Sequence, residues 1–238
     1  MQSVNLIELV DRLRGGLIVS CQALTGEPLF GAQHMAVMAC AAVAGGAVAI
    51  RANGPTDIAA IRTEISLPII GLFKVDLPGC EIRITPTCEY AERVAEAGAD
   101  LIALDATNRP HPGGVGVGEL IQQVQRCTGK PVLADVSTLE EGLAAACSGA
   151  EFVATTLSGY TAYSQTSLDP DFMLIEHLAA ELKPLGVPLL AEGRIITPEQ
   201  AVRALSLGAH AVVVGGAITR PQAITARFVE ALQKGGPA

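Results

Sequence analysis

Aromatic side chains are scarce in this sequence and tryptophan is missing altogether: Phe, Tyr and Trp together make up 3% of its 238 residues. Proteins that hold single-stranded nucleic acid stack bases on aromatic platforms inside basic grooves, so this scarcity argues against a nucleic-acid ligand. Positive charge is in deficit as well. Lys and Arg number 16 against 24 Asp and Glu, a formal net charge of -8. Such a surface repels anions at long range, and an anionic substrate would need a local cluster of positive groups and backbone amides. The six cysteines, Cys21, Cys40, Cys80, Cys88, Cys127 and Cys147, contain no CxxC pair and have no histidines at ligand spacing beside them. No metal site is expected from them, and most are expected to be reduced thiols in or near the core. No basic start with an apolar run and small-residue cleavage site stands at Met1, and no apolar stretch of about 18 residues runs without polar interruption. A soluble, cytoplasmic protein with no membrane partner is the expectation.

What the chain has in abundance is small aliphatic residues. Half of it is hydrophobic, so the core must be built from Ala, Val, Leu and Ile, which suits buried parallel strands under small-residue helices. Its length is common for one barrel domain and allows roughly three quarters of the extended surface to be buried. Residues 1–238 therefore read as a single domain.

Short apolar runs alternate with longer amphipathic segments from end to end, the pattern of βα units around a parallel sheet. The runs are residues 16–22, 47–51, 68–74, 101–105, 131–135, 152–157, 188–192 and 211–215. Eight of them fit a closed (β/α)8 TIM barrel, with an eight-stranded doubly wound sheet as the alternative. Helices are expected over 87–97, stopping at Gly98, and over 197–207, stopping at Gly208, the second opened by Thr197 as N-cap with Pro198 at the first helical position. The phrases AGAD at Ala97, SGAE at Ser148 and LGAH at Leu207 recur just before apolar runs and read as repeated helix-to-strand turns.

In such a barrel the chemistry comes from the C-terminal ends of the strands. Here those ends are polar: Gln22, Arg51, Lys74, Asp105, Asp135, Thr155 with Thr156, Glu192, and Gly215 with Gly216. Charged groups in that position are costly unless paired or functional. Each has a plainer reading. Gln22 can bond neighbouring backbone, Arg51 and Lys74 can pair with Asp105 or Asp135 in a buried network, and Asp105 can cap its own loop. Glu192 resists this, because it precedes a glycine that lets backbone approach a ligand. Barrels that bind phosphorylated substrates often hold the phosphate in the last two βα loops. In this chain these read Glu192-Gly193-Arg194 and Gly215-Gly216-Ala217-Ile218-Thr219-Arg220. The glycines expose amides, and Arg194 or Arg220 can add a charge-assisted contact. Cys21 alternates to the opposite face from Gln22 and reads as packing. Among the histidines only His111 stands in a candidate loop; His34, His177 and His210 fall away from the strand ends.

Taken together, IVSCQA at Ile18, IRA at Ile50, ITPT at Ile84, DAT at Asp105, TTLSGYT at Thr155, AEGRI at Ala191 and VVVGGAITRP at Val212 resemble the signature segments of the bacterial N-acetylmannosamine-6-phosphate 2-epimerases. The resemblance runs from about Leu13 to Leu232. It implies interconversion of N-acetylmannosamine 6-phosphate and N-acetylglucosamine 6-phosphate in sialic acid catabolism, with no obligatory organic cofactor and a homodimeric assembly. It also implies Lys74 as catalytic base and Glu192 as second acid/base group, with Gln22, Arg51 and Asp135 as sugar-binding or electrostatic partners. The loops carrying Gly193, Arg194, Gly215, Gly216 and Arg220 would take the phosphate. Two positions depart from the family pattern, His111 and Val75, each standing where a basic residue is usual; both lie in loops and bear on substrate contacts rather than on the reaction.

The chemistry imposes its own demands. Inverting a carbon beside a carbonyl requires a base, a stabilised enolate oxygen and a proton returned to the other face. A lysine base must be neutral, which asks burial and a neighbouring cation such as Arg51 to bring it from about 10.4 to about 7 or 8. A Schiff-base aldolase using Lys74 and a non-catalytic sugar-phosphate sensor are the competing readings.

Overall fold

The computed structural model describes residues 5–235. Eight parallel strands close into a barrel in sequence order. They are β1 (Leu17–Cys21), β2 (Ala49–Asn53), β3 (Ile69–Leu72), β4 (Leu101–Asp105), β5 (Val132–Asp135), β6 (Phe152–Ala154), β7 (Leu189–Glu192) and β8 (Ala211–Val214). Helix α1 (Leu6–Leu13) precedes the first strand. Between strands lie α2 (Ala32–Ala44), α3 (Pro55–Glu64), α4 (Cys88–Glu96), α5 (Val117–Thr128), α6 (Leu139–Cys147), α7 (Phe172–Leu182) and α8 (Pro198–Ser206), and the chain ends in α9 (Gly216–Thr219) and α10 (Pro221–Gly235). This is the (β/α)8 TIM barrel expected from the alternation of apolar and amphipathic segments.

Successive side chains of a strand point to opposite faces, and the two faces are two separate clusters. Ile18, Ala49, Ile70, Leu72, Leu101, Ala103, Leu133, Phe152 and Leu190 fill the barrel interior, and Leu9 and Leu13 of α1 join them. The other parity, including Val19, Cys21, Ile50, Ile69, Ile102 and Val153, packs outward under the helices. Gly71 faces outward, where a Cβ would meet Val94 at 2.5 Å and Ala99 at 2.6 Å, so helix α4 lies directly on its backbone.

The interior parity matters for the site. Continuing it by two residues at each strand end brings Gln22, Arg51, Lys74, Asp105, Asp135, Thr156, Glu192 and Gly215 to the inner face of one rim. Cys21 takes the outer parity, is fully buried, and burial pushes its thiol up to about 12; it packs, as its alternation predicts.

Thr197 caps α8 with its side chain accepting from Gln200 N–H and Pro198 in the first turn, and the predicted stops hold to within a residue. Three strand ends differ from the sequence reading by more than one residue. β2 runs on to Asn53, so Arg51 lies inside the strand, whereas β3 stops at Leu72 and β6 at Ala154, leaving Lys74 and Thr155 in the loops beyond. The cysteine expectation needs one correction. Cys88 and Cys127 form a disulfide between α4 and α5 across 39 residues, a pairing that spacing alone does not reveal, while Cys21, Cys40, Cys80 and Cys147 are free and Cys147 is exposed rather than near the core. Among the described residues no helix is long and apolar enough to cross a membrane.

Candidate active site

The polar rim opens into a cavity of about 720 Å³ at the C-terminal end of the strands. Lys74 and Glu192 both line it, as do Gln22, Gly193, Gly215 and Arg220. Arg51 and Asp135 lie beneath its floor, 1% and 0% exposed.

Arg51 organises that floor. Its guanidinium grips Asp135 with two hydrogen bonds, Nη1 to Oδ1 at 3.0 Å and Nη2 to Oδ2 at 2.5 Å, and its Nη1 also reaches Glu192 Oε2 at 2.5 Å. Thr156 donates to Asp135 Oδ1 at 2.6 Å or to Glu192 Oε2 at 3.2 Å, closing the group. Bidentate pairing of this kind fixes orientation as well as charge, and only such pairing makes a buried arginine tolerable. Burial alone would lower the Arg51 pKa; the two carboxylates more than offset it, so the guanidinium stays charged.

Glu192 ends β7 and is held from both sides. Thr155 Oγ1 donates to its carbonyl at 2.9 Å and accepts from its N–H at 3.1 Å, so a side chain continues the ladder between β6 and β7. Burial raises the pKa of Glu192; Arg51 and Lys74 oppose that rise, and Asp135 adds to it.

Lys74 forms no ion pair or side-chain hydrogen bond through its amine among the described residues. Its pKa is lowered to about 8, first by burial and then by Arg51, with Arg220 helping and Glu192 and Asp135 opposing. At neutral pH a usable fraction of this amine is therefore free base. The ion-pair network that the strand ends allow thus joins Arg51 to Asp135 and Glu192 and leaves Lys74 out of it.

Asp105 stands beside Asp135 in the ladder between β4 and β5. Arg109 pairs with it at 2.6 Å, and Thr107 donates to it through both N–H and hydroxyl. Burial still raises its pKa. Gln22 donates to Ser20 Oγ at 2.8 Å and leaves its Oε1 buried at the cavity wall with no partner among the described residues, an acceptor available to a substrate hydroxyl or amide.

At the last two βα loops, Gly193 has φ 117 and Arg194 φ 57, a turn only a glycine enters freely at the first position. Gly215 precedes α9, whose first N–H groups have no intrahelical acceptor. The arginines differ in their freedom. Arg194 spends its guanidinium on the carbonyls of Asp169 at 2.9 Å and Ser158 at 2.6 Å. Arg220 is partly exposed at the cavity, with Glu27 at 3.2 Å. His111 is buried, does not line the cavity, and is lowered in pKa by burial.

Residues 35–234 match a protein family described as "Putative N-acetylmannosamine-6-phosphate epimerase". The chain belongs to that family. Among its relatives, a protein of Caldanaerobacter subterraneus subsp. tengcongensis carrying the corresponding 2-epimerase name is 54% identical over 224 residues, covering 94% of this chain and 93% of the relative. A Cutibacterium acnes protein of the same name is 46% identical over 94% of this chain and 97% of its own length. The solved structure of the N-acetylmannosamine-6-phosphate 2-epimerase from Clostridium perfringens superposes with a TM-score of 0.89 at 48% identity, covering 94% of this chain and 96% of that one. Thiamine phosphate pyrophosphorylase from Pyrococcus furiosus, 18% identical with a TM-score of 0.57 over 95% of this chain and 96% of that one, shares the fold alone.

Within this epimerase-family barrel, sequence reasoning missed several groups at the cavity. Arg83 and Arg109 line it from the loops after β3 and β4, and Arg227 reaches it from α10. Arg109 sits four residues after Asp105, a spacing that could have signalled the pair; Arg83 and Arg227 carry no local signal.

Proposed function

We propose that this protein is the epimerase that interconverts N-acetylmannosamine 6-phosphate and N-acetylglucosamine 6-phosphate by moving the proton at C2. The observation that carries the mechanism is the Lys74 amine: it lies at the cavity wall, without a partner among the described residues, with its pKa lowered to about 8.

In the open-chain sugar, C2 lies next to the aldehyde carbon, and its C–H bond is acidified by that carbonyl. The neutral Lys74 amine takes the C2 proton, the C–H electron pair becomes the C1–C2 double bond, and the aldehyde oxygen acquires the negative charge of the enolate. Glu192 serves as the second acid/base group, giving a proton to the opposite face of C2 while the C=O bond re-forms; ammonium and carboxylate then reset by proton exchange. Burial raises the Glu192 pKa, which favours a carboxyl able to donate. Arg51, clamped on Asp135, aims that carboxyl and supplies positive charge near the developing enolate. Gln22 Oε1 accepts from the sugar, and Gly193, Arg194, Gly215, Gly216 and Arg220 form the phosphate end. Arg220 and the backbone amides contact the phosphate, whereas Arg194 shapes the loop through its carbonyl contacts. Holding the phosphate fixes the reacting carbon, converting remote binding into orientation.

The assembly we propose is a homodimer. No described residue of α10 is buried, and Phe228 and Leu232 are 68% and 73% exposed on one helical stripe. A second copy presents the same stripe and can cover it symmetrically.

The deciding experiment is proton NMR with N-acetylmannosamine 6-phosphate in deuterated water, for the wild type and Lys74→Ala. Deuterium at C2 of N-acetylglucosamine 6-phosphate, lost in the variant, is the expected result. A wild type that leaves the substrate unchanged refutes the function. Trapping of Lys74 by borohydride in the presence of substrate would instead show Schiff-base chemistry.

A further inference from the structure

Lys74 stands two residues beyond Leu72, the last residue of β3. Regular strand pairing has ended there, so the sheet alone does not fix the lysine's backbone. Side chains take over on both flanks. Toward β2, the ladder's last main-chain rung runs from Gly54 N–H to Leu72 O at 2.8 Å. The next rung is a side chain: Lys74 N–H donates to Asn53 Oδ1 at 2.8 Å.

Toward β4, the chain after Lys74 folds back and pairs with it. Lys74 and Ile84 face each other in an antiparallel bridge, flanked by Val75 N–H to Arg83 O at 2.9 Å and Thr85 N–H to Phe73 O at 2.8 Å. The returning segment inserts between β3 and β4, and Ile84 O accepts from Asp105 N–H at 3.0 Å. Thr85 stitches both edges of this insertion. Its Oγ1 accepts from Phe73 N–H at 3.0 Å and donates to Ala103 O at 2.6 Å.

Thr85 is fully buried with φ 46. A β-branched residue enters that region only against steric resistance, and such strain persists where surrounding contacts over-determine it, commonly at reactive sites. Here every contact that over-determines it bears on Phe73, the residue before Lys74, or on the strand alongside. A glycine would relieve the strain and forfeit the hydroxyl.

We propose that Asn53 and Thr85 are positioning residues for Lys74: they hold its backbone beyond the end of the sheet so that its amine meets the reacting carbon. The inference rests on the reading of Lys74 as the base. Proton abstraction tolerates little displacement, and an error of about 1 Å costs on the order of 100-fold in rate. Substrate binding, set mainly by the phosphate loops on the opposite side of the rim, is not engaged by either residue.

The test compares Asn53→Ala, Thr85→Val and Thr85→Ser with the wild type and Lys74→Ala, measuring kcat, KM and Tm for epimerisation. Asn53→Ala and Thr85→Val are expected to lower kcat by roughly 10- to 100-fold with KM held within about threefold. Thr85→Ser, which keeps the hydroxyl, is expected to stay within about threefold of the wild-type kcat. Should Thr85→Val not fold, Asn53→Ala carries the test, because its side chain is only half-buried at the rim. Wild-type kcat in a folded Asn53→Ala, or losses confined to Tm or KM, while Lys74→Ala is inactive, overturns the positioning role. Undiminished turnover by Lys74→Ala overturns the base itself, and the inference falls with it.

Discussion

If Lys74 acts as a free base, the rate must follow its deprotonation. A pKa of about 8 leaves about 9% of the amine neutral at pH 7 and about 50% at pH 8, against roughly 0.04% at pH 7 for an unperturbed lysine near 10.4. The fold therefore supplies about 200 times more base at neutral pH than a solvated side chain would. Because kcat/KM reports the free enzyme, the limb set by Lys74 should raise it by up to about fivefold from pH 7 to pH 8, and a descending limb should follow where Glu192 loses the proton it donates. Burial is the first cause of this midpoint, and four charged groups adjust it: Arg51 on β2 and Arg220 after β8 push it down, while Glu192 on β7 and Asp135 on β5 push it up. The assay is initial-rate epimerisation at constant ionic strength from pH 6.8 upward, above the second ionisation of the phosphate near ~6. An ascending limb centred near ~10 would refute the argument that burial and Arg51 tune this lysine.

The same shift has a cost in stability. Carrying the amine from 10.5 to about 8 disfavours the charged folded form by about 3 kcal/mol. The penalty is complete below pH 8, shrinks as pH rises, because the unfolded chain then holds the proton that the folded one has lost, and vanishes above pH 10.5. Lys74→Met should accordingly be inactive yet more stable in urea by about 1–3 kcal/mol at pH 7, an advantage that disappears near pH 10.5; a destabilised variant at pH 7 contradicts the shift. For the assembly, light scattering after gel filtration should give twice the chain mass for the wild type, and Phe228→Glu with Leu232→Glu should give a single chain. A wild type that runs as one chain at micromolar concentration rules out the dimer.

The barrel was legible because its signals are repeated. Eight apolar runs, separated by longer helical stretches that mostly stop at a glycine-bearing turn, leave few architectures open, and the parity of side chains in each run then assigns Gln22, Arg51, Asp135 and Glu192 to one face. The same parity rule correctly sent Cys21 outward. What it does not fix is where a strand stops. The apolar run that includes Pro68 and Phe73 continues smoothly into Lys74, and nothing in its composition says that main-chain pairing ceases at Leu72. The disulfide between Cys88 and Cys127 was invisible for a related reason, since it depends on how two helices sit against each other.

Those unread strand ends are where the site is made. Parallel pairing can deliver a side chain to the rim, but it leaves the last residues with unpaired N–H and C=O groups that water or side chains must satisfy. At Lys74 the partner is Asn53, at Phe73 it is Thr85, and at Glu192 it is Thr155. In each case a polar side chain substitutes for a missing rung beside one of the two groups assigned to proton transfer. Such a substitute leaves no periodic trace, because it is one residue of ordinary type whose meaning depends on a neighbour 12 to 37 positions away. The proposed roles of Lys74 and Glu192 follow from the family resemblance; the means by which each is held required the coordinates.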